Sequence, residues 1–595
     1  MTEILLSGWI DRVRAAEKSG DLFVAYDLAM QGLSEHPNSV DLRYLATRVL
    51  ARSGATNHAA AMYERFRLGR QRNTDIASLG ARITKDVALA ASTGKRKALR
   101  IAAAAYGRIF AHTPAPYPGV NAATLYLLAG DRERARSYAR RTLDASNTGS
   151  GRTSVDRYYR LASRAEAAVI LGDIDLARGS LREAARQLGT DYDAAATTCR
   201  QLRLVCRITG TSPDILDIIR PPAVLHYCGP ALTRSGFSLD RQYERDVLDK
   251  ITAHIAHRKI GFAYGSLSAG GEILCAEACL RAGAELNVVL PFDQDEFVAT
   301  MARAAGSRWL RRLRTCLARA KSVTFATADS YQGDNSLFTY AGRLAMGMAI
   351  LRAQHLATAV SHLKVETGGW EPDTSGYAIN LRMWHAHHLS SHLLAPATPA
   401  VATRAAPKAT RPLRSVPPRF TRALLFGDVH GFSRTPDYLI PVFQERLMGA
   451  IAAALHAYDK HILYRNSWGD AIYVVIDDPV VAAECCLDIQ DAIRKARLTR
   501  YGLSSGLALR LAAHFGPVYN GHDPIRDEPT FFGAHTTIAA RIEPVTVPGQ
   551  VYLTEAMAAA IAMANAPQLR AEYVGNVPMA KGFGSTRMYS LNRVG

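Results

Sequence analysis

Two aspartates carry the strongest chemical signal in this 595-residue sequence. Asp428 ends the apolar run ALLFGD, and Asp470 stands just before AIYVVI. A carboxylate that interrupts an apolar strand is costly to bury unless it is paired or holds a cation. Two of them on neighbouring strands, without a basic residue close to each, predict a site for a hard divalent metal. Two ordinary turn aspartates are the plainer alternative. After Asp428, the run Gly431-Phe432-Ser433 leads into another helical stretch, where free amides could face phosphate oxygens. A second candidate lies upstream. Gly265, Gly270 and Gly271 sit where a strand gives way to a helix, a place where backbone amides and the helix dipole can hold a phosphate. Their spacing is not GxGxxG, so the loop alone says little.

The elements that must position these residues divide the chain into four parts. Residues 1–212 read as helix after helix. The pattern G-D-x-x-x-A occurs at Gly20, Gly130 and Gly172, and Gly54 repeats the Gly-to-Ala spacing with Ala59. Gly20 and Gly54 are 34 residues apart, the tetratricopeptide period. Glycine permits the tight turn between antiparallel helices and alanine their close approach, so an all-α helical-repeat region is expected, with partner binding or regulation as its role. Residues 213–392 alternate strand-like runs (Ala223 to Cys228, KIGFAYGSL, ELNVVLPF) with amphipathic helices. That alternation predicts a parallel sheet with crossover helices, an α/β Rossmann-like middle domain. Residues 393–419, rich in Pro and Ala, read as a semi-extended linker. Residues 420–595 are then expected to fold independently.

Composition narrows the class. Apolar residues are 48% and charged residues 21% of the chain, ordinary values for folded protein. No uninterrupted apolar run of membrane-spanning length is found, and the first residues mix acids and bases where a signal peptide needs a clean apolar segment. The expectation is a cytoplasmic protein that engages no membrane. The formal net charge of +19 favours anionic partners. The excess is scattered arginine rather than one block, so a nucleic-acid partner is not expected. Cysteines occur at 199, 206, 228, 275, 279, 316, 485 and 486, without CxxC spacing, and predict reduced, buried thiols with neither disulfides nor structural zinc. Trp468, beside Gly469, is expected to pack under a hairpin.

Six phrases appear in order after the linker: FGDVHGFS, SWGDAIYVV, LRLAAHFGPVY, FFGAHTTIAARIEP, GQVYLTEA and AKGFGSTRMYSL. In order and spacing they resemble the class III adenylate/guanylate cyclase catalytic domain, over roughly residues 420–592. The resemblance implies an α+β ferredoxin-like fold that works as a homodimer on a nucleoside triphosphate, with active sites at the interface. It implies two Mg²⁺ or Mn²⁺ ions held by Asp428, Asp470 and the Val429 carbonyl. Arg541 matches the arginine that stabilises the transition state, and Lys581 the lysine on the terminal phosphates. Phe432 and Ser433 fall on the phosphate side of the substrate site. The base-reading lysine of the family falls on Asn466, with Arg465 adjacent. The second base-reading position falls on Thr530, and the ribose-orienting asparagine on Thr537. Amide and hydroxyl groups both donate and accept, so they dictate neither purine nor pyrimidine. ATP is the first expectation because it is the commonest substrate of the family. A UTP or CTP cyclase of the antiphage kind and a catalytically silent, nucleotide-binding scaffold are the alternatives.

The phrase YGSLSAGGEILCAEACLRAGAELNVVLPF, with HYCG upstream, resembles the SLOG group of Rossmann-like domains. That resemblance implies a regulatory pocket for a nucleotide or a derivative around Gly265, Ser266, Gly270, Gly271 and Glu277. The alternative, that the glycines serve strand–helix packing while Glu277 faces solvent, stays open. An unknown protein or small molecule is the expected regulator.

Overall fold

The computed structural model describes residues 2–19, 21–91, 93–148, 153–229, 241–333, 336–365, 376–386, 390–394, 417–582 and 584–594. Helices fill the region from Thr2 to Thr209, where the repeat pattern predicts them. Gly54, Gly130 and Gly172 end helices or open turns at φ of 90°, 83° and 91°, a backbone region that glycine enters without strain. The alanine of each motif copy, Ala25, Ala59, Ala135 and Ala177, is fully buried at a helix crossing. Gly20, the first glycine of the pattern, lies outside the described residues.

The middle region builds the parallel sheet expected of it. Its strands are β1 (Ala223–Cys228), β2 (Ile260–Gly265), β3 (Glu285–Leu290), β4 (Ser322–Phe325), β5 (Val360–Val365) and β6 (Ser390–Leu394), in the order β4-β3-β2-β1-β5-β6. Every neighbouring pair is parallel. Both faces are covered. Leu225, Ala263 and Val288 join one apolar cluster, while Val224, Phe262 and Val289 join another. Strands buried on both sides read as continuous apolar runs, and these do.

The C-terminal sheet holds β7 (Arg419–His430), β8 (Ile462–Trp468), β9 (Ala471–Ile476), β10 (Ala508–Asp523), β11 (Glu528–Phe532), β12 (Val551–Thr554), β13 (Leu569–Pro578) and β14 (Ser585–Arg593). The order is β13-β14-β12-β10-β7-β9-β8, with β11 paired to β10. Within it, β7, a helical stretch from Ile440 to His456, the β8–β9 hairpin, the helix Pro479–Lys495 and β10 form the βαββαβ core of a ferredoxin-like fold. The stretch 437–456 is long and apolar enough to cross a membrane by length and composition. Phe443, Leu447, Ile451 and Leu455 instead join the core shared with β7 and β9.

The C-terminal region packs against the rest of the chain. β6 runs to Leu394 and β7 starts at Arg419, both inside the segment read as linker. The two sheets then share one helix, Ser336–Leu356, which packs on β1, β2 and β3 and also on the helix Glu555–Met563, β7 and β10. Being apolar on every side, this bridging helix belongs to two cores, and linker composition says nothing about that. Contacts from the N-terminal helices reinforce the union. Phe23 stacks on Tyr573 at 4.1 Å, and Asp27 accepts from the Tyr573 hydroxyl at 2.7 Å and the Asn576 amide at 2.9 Å. Arg352, on the bridging helix, pairs with Asp21 at 3.1 Å.

Gly347 is the point of closest approach in this junction. A Cβ there would lie 2.4 Å from the Ala559 carbonyl oxygen and 2.6 Å from the Ala559 Cβ. In a free helix Gly→Ala stabilises by ~1 kcal/mol. Gly347→Ala is expected to do the opposite, costing ~1–3 kcal/mol by overpacking. A thermal melt checks the sign, and an unchanged or raised melting temperature would contradict the contact.

Candidate active site

The register of β7 against β10 sets the first half of the site. Asp428 lies within β7 directly opposite Arg510 on β10, and Val429 opposite Leu509. The Arg510 Nη2 donates to Asp428 Oδ2 at 2.6 Å, and its Nε lies 2.9 Å from Glu543 Oε1. Asp470 occupies the tight β8–β9 turn, which Gly469 enters at φ 62°. That turn brings Asp470 close enough to Asp428 for the two carboxyl groups to interact. Burial first, and then the Asp428 charge, raise the Asp470 pKa, while the Val429 amide opposes the shift. Burial also raises Glu543 to about 7, against the pull of Arg510. One guanidinium therefore serves two of these three carboxyl groups, Asp428 and Glu543.

Such a donor set fits a divalent cation. Mg²⁺ characteristically takes one or two carboxylates and completes its shell with water and substrate phosphate oxygens. Asp428 and Asp470 supply the carboxylates, and the Val429 carbonyl is a third hard oxygen beside them. Among the described residues no group of three or more His, Cys, Asp or Glu side chains is arranged to hold a metal. The fit therefore rests on two side chains and one main-chain oxygen.

The second half of the site is a separate surface. The helix Ala534–Ile542 buries His535, Ala539 and Ile542, at helical spacing. Thr537 and Arg541, four residues apart, share another face, and the turn Ala580–Gly582, which carries the exposed Lys581 at φ 61°, lies against the same helix. Glu543, two residues beyond Arg541, is the one that turns toward Asp428. Asn466 on β8 and Thr530 on β11 occupy strands that run side by side. Asn466 also lines an open cavity of about 470 Å³ between the β8–β9 hairpin and the helical stretch 440–456. Phe432 and Ser433 form a single turn after β7.

Residues 421–593 match the family model described as the adenylate and guanylate cyclase catalytic domain. The C-terminal region is a cyclase catalytic domain. Residues 24–126 match the model described as tetratricopeptide repeats-sensor. Among solved structures, the adenylyl cyclase CyaB from P. aeruginosa is 15% identical over 29% of this chain and 95% of its own, with a TM-score of 0.26. The guanylyl cyclase Cya2 is 20% identical over 30% and 95%, with a TM-score of 0.26. The guanylate cyclase domain of RhGC from Catenaria anguillulae, in complex with GTP, is 20% identical over 29% and 97%, with a TM-score of 0.24. No curated protein matches the chain.

Arg510 and Glu543 are cyclase-domain residues that sequence reasoning missed. The signal was present: an arginine inside the apolar run LRLAA must find an anion, and Asp428 was the one in need of a cation. Trp468 is the reverse case. It was expected to pack under the hairpin, yet it is 87% exposed at the tip, where nothing among the described residues covers it.

Close packing accounts for Gly265 in the upstream glycine loop. A Cβ on Gly265 would lie 2.5 Å from the Tyr227 ring, and the approach of Gly229 leaves 2.7 Å between its missing Cβ and the Gly271 Cα. Gly270, at φ 119°, has a backbone that L side chains rarely adopt. The Tyr227 hydroxyl donates to the Ser266 carbonyl at 3.1 Å. Glu277 does not turn into the loop. Both its oxygens accept from Arg312, at 2.8 and 2.7 Å, across to the helix Gln294–Arg319. The acid at the loop is Glu272, which accepts from the Ser268 amide at 2.7 Å and is raised by burial to about 7. Residues 230–240 and 366–375 lie outside the described residues.

The carboxylate pair makes a pH-dependent prediction. A raised folded-state pKa means that Asp470 contributes most to stability while neutral, and that contribution is lost as pH rises through the raised value. Without divalent cations, Asp470→Asn is expected to melt above the wild type at about pH 7.5 and level with it near about pH 4. Millimolar Mn²⁺ is expected to raise the melting temperature of the wild type and not of Asp470→Asn.

Proposed function

We propose that the chain is a nucleotidyl cyclase that converts a nucleoside triphosphate, ATP first, into its 3′,5′-cyclic nucleotide and pyrophosphate. The observation that carries this reading is the meeting of Asp428 and Asp470 at the end of β7 and the β8–β9 turn, inside a cyclase catalytic domain. Mg²⁺ or Mn²⁺ bound there would lower the pKa of the ribose 3′-hydroxyl and grip the phosphate oxygens. The 3′-oxygen bonds to the α-phosphorus as the bond to the bridging oxygen breaks, pyrophosphate departs, and the hydroxyl proton passes to solvent. Arg541 donates to the α-phosphate oxygens as their charge builds. Lys581 neutralises the departing phosphates, while Thr537 orients the ribose and Phe432 and Ser433 flank the phosphate chain. Because attack is intramolecular, positioning supplies much of the acceleration.

A homodimer belongs to the same reading. Arg541, Thr537 and Lys581 sit on elements other than the strand and turn that carry Asp428 and Asp470, and in the proposed dimer a second copy brings the two halves together. Trp468, Tyr438, Ile525 and Phe532, all exposed in the single chain, offer apolar surface for that association. The helical repeats and the middle domain would then regulate the pair in response to a protein or small molecule. A cytoplasmic setting suits the eight free, buried cysteines.

A UTP or CTP cyclase is the second reading, favoured by the neutral Asn466 and Thr530 at the base-reading positions. Incubation of the protein and Mn²⁺ with ATP, GTP, CTP and UTP in turn, with products identified by mass, decides between the bases. Asp428→Ala and Arg541→Ala are each expected to abolish turnover. Mixed together they should recover about a quarter of wild-type activity, since half the dimers are mixed and each of those has one intact site. No turnover of any nucleotide at high protein concentration would leave a nucleotide-binding scaffold. No recovery on mixing would remove the shared active site.

A further inference from the structure

We propose that Tyr340, a residue of the bridging helix and not of the cyclase domain, is a positioning residue for the helix that carries Thr537 and Arg541. The inference rests on the cyclase reading above and adds to it a residue from another domain. The route is short and fully buried. The Tyr340 hydroxyl donates to the Phe515 carbonyl on β10 at 2.8 Å, and its ring stands edge-on to the His535 ring at 5.5 Å. His535 lies in the first turn of the helix Ala534–Ile542. Its Nδ1 is 2.7 Å from Nε2 of His514, the two rings being stacked at 5.0 Å. The other nitrogen of His514 is 2.8 Å from the Thr554 hydroxyl, which caps the helix Glu555–Met563. That helix is the one that packs on Gly347 of the bridging helix.

The contacts form a closed ring: bridging helix, capped helix, His514, His535, and back to the bridging helix through Tyr340. Little else fixes the His535 ring. Its Nε2 is buried with no partner among the described residues. Gly516 leaves the space the paired rings occupy, since a Cβ there would lie 2.2 Å from the His535 Nδ1. The helix is short and stiff, and Arg541 is six residues from His535. A displacement of the ring therefore carries the guanidinium with it. Displacements of about 1 Å at a transition-state donor cost about a hundredfold in rate, while the ground-state complex is little affected. By this route a change in the middle domain can reach Arg541 without touching the metal-binding carboxylates.

The test uses the full-length protein. Tyr340→Met keeps a long apolar side chain, somewhat smaller than tyrosine, but loses the ring edge and the hydroxyl, and Tyr340→Phe restores the ring edge alone. Tyr340→Met is expected to lower kcat at least about tenfold with KM changed by less than about twofold, and Tyr340→Phe to recover kcat to within about threefold of wild type. Amide exchange of residues 534–542 should quicken in Tyr340→Met while that of 423–430 stays unchanged. Wild-type kcat in Tyr340→Met, or a loss that Tyr340→Phe does not recover, overturns the proposal. If the wild type itself turns over no nucleotide, the cyclase reading falls, and the exchange measurement still decides the link between Tyr340 and the helix. Unchanged exchange at 534–542 would end it.

Discussion

A single helix buried between two sheets is the constraint on which the rest of this molecule depends. Ser336–Leu356 covers one face of the parallel sheet and, with its other sides, the helix Glu555–Met563, β7 and β10 of the cyclase domain. Helices that are apolar all round occur only where every side has a partner. Here the partners belong to units that the sequence separates by an unpatterned, proline-rich stretch. The interface is close enough to demand glycine at 347, and interiors packed at that density transmit displacement instead of absorbing it. The N-terminal helices add Phe23, Asp27 and Asp21 to the same junction, so three regions converge on a few residues.

The active site obeys a second constraint, electrostatic in origin. Asp428, Asp470 and Glu543 approach one another beside Arg510, and burial first, then the neighbouring carboxylates, raise the pKa values of Asp470 and Glu543. Arg510 moderates the repulsion and holds Asp428 through the Nη2–Oδ2 contact at 2.6 Å.

What the sequence disclosed, and what it concealed, follows from the range of each interaction. Local signals were clear. The glycine turns and buried alanines of the helical repeats, the runs that became β1 to β3, and Asp428 and Asp470 at their strand ends all rest on residues within a few positions of one another. The eight cysteines are free and buried, as their apolar surroundings implied. Long-range pairings were not legible. Arg510 inside LRLAA announces the need for an anion, but no local pattern says which one, and Asp428 is 82 positions away. Nothing near Glu277 announces Arg312, so a solvent or pocket role was assigned to a carboxylate that bridges two helices. The bridging helix was hidden for the same reason, since an apolar helix of the middle domain reads identically whether it covers one sheet or two. Trp468 erred in the other direction, because an aromatic residue beside a turn is ordinarily packed and this one waits in the open.

The dual allegiance of the bridging helix has a consequence for how such a protein can be rearranged by recombination. Shuffling of catalytic modules succeeds where the cut leaves each piece with its own roof. A breakpoint in the proline-rich stretch before β7 would carry away the catalytic residues intact, yet strip them of the wall around Ala559 and leave a bare apolar trough. The module is thus transferable only together with a helix that lies before the junction in the chain, or into a host that supplies an equivalent one. Its order along the gene and its order in space are not the same, and the covering helix belongs to the neighbour.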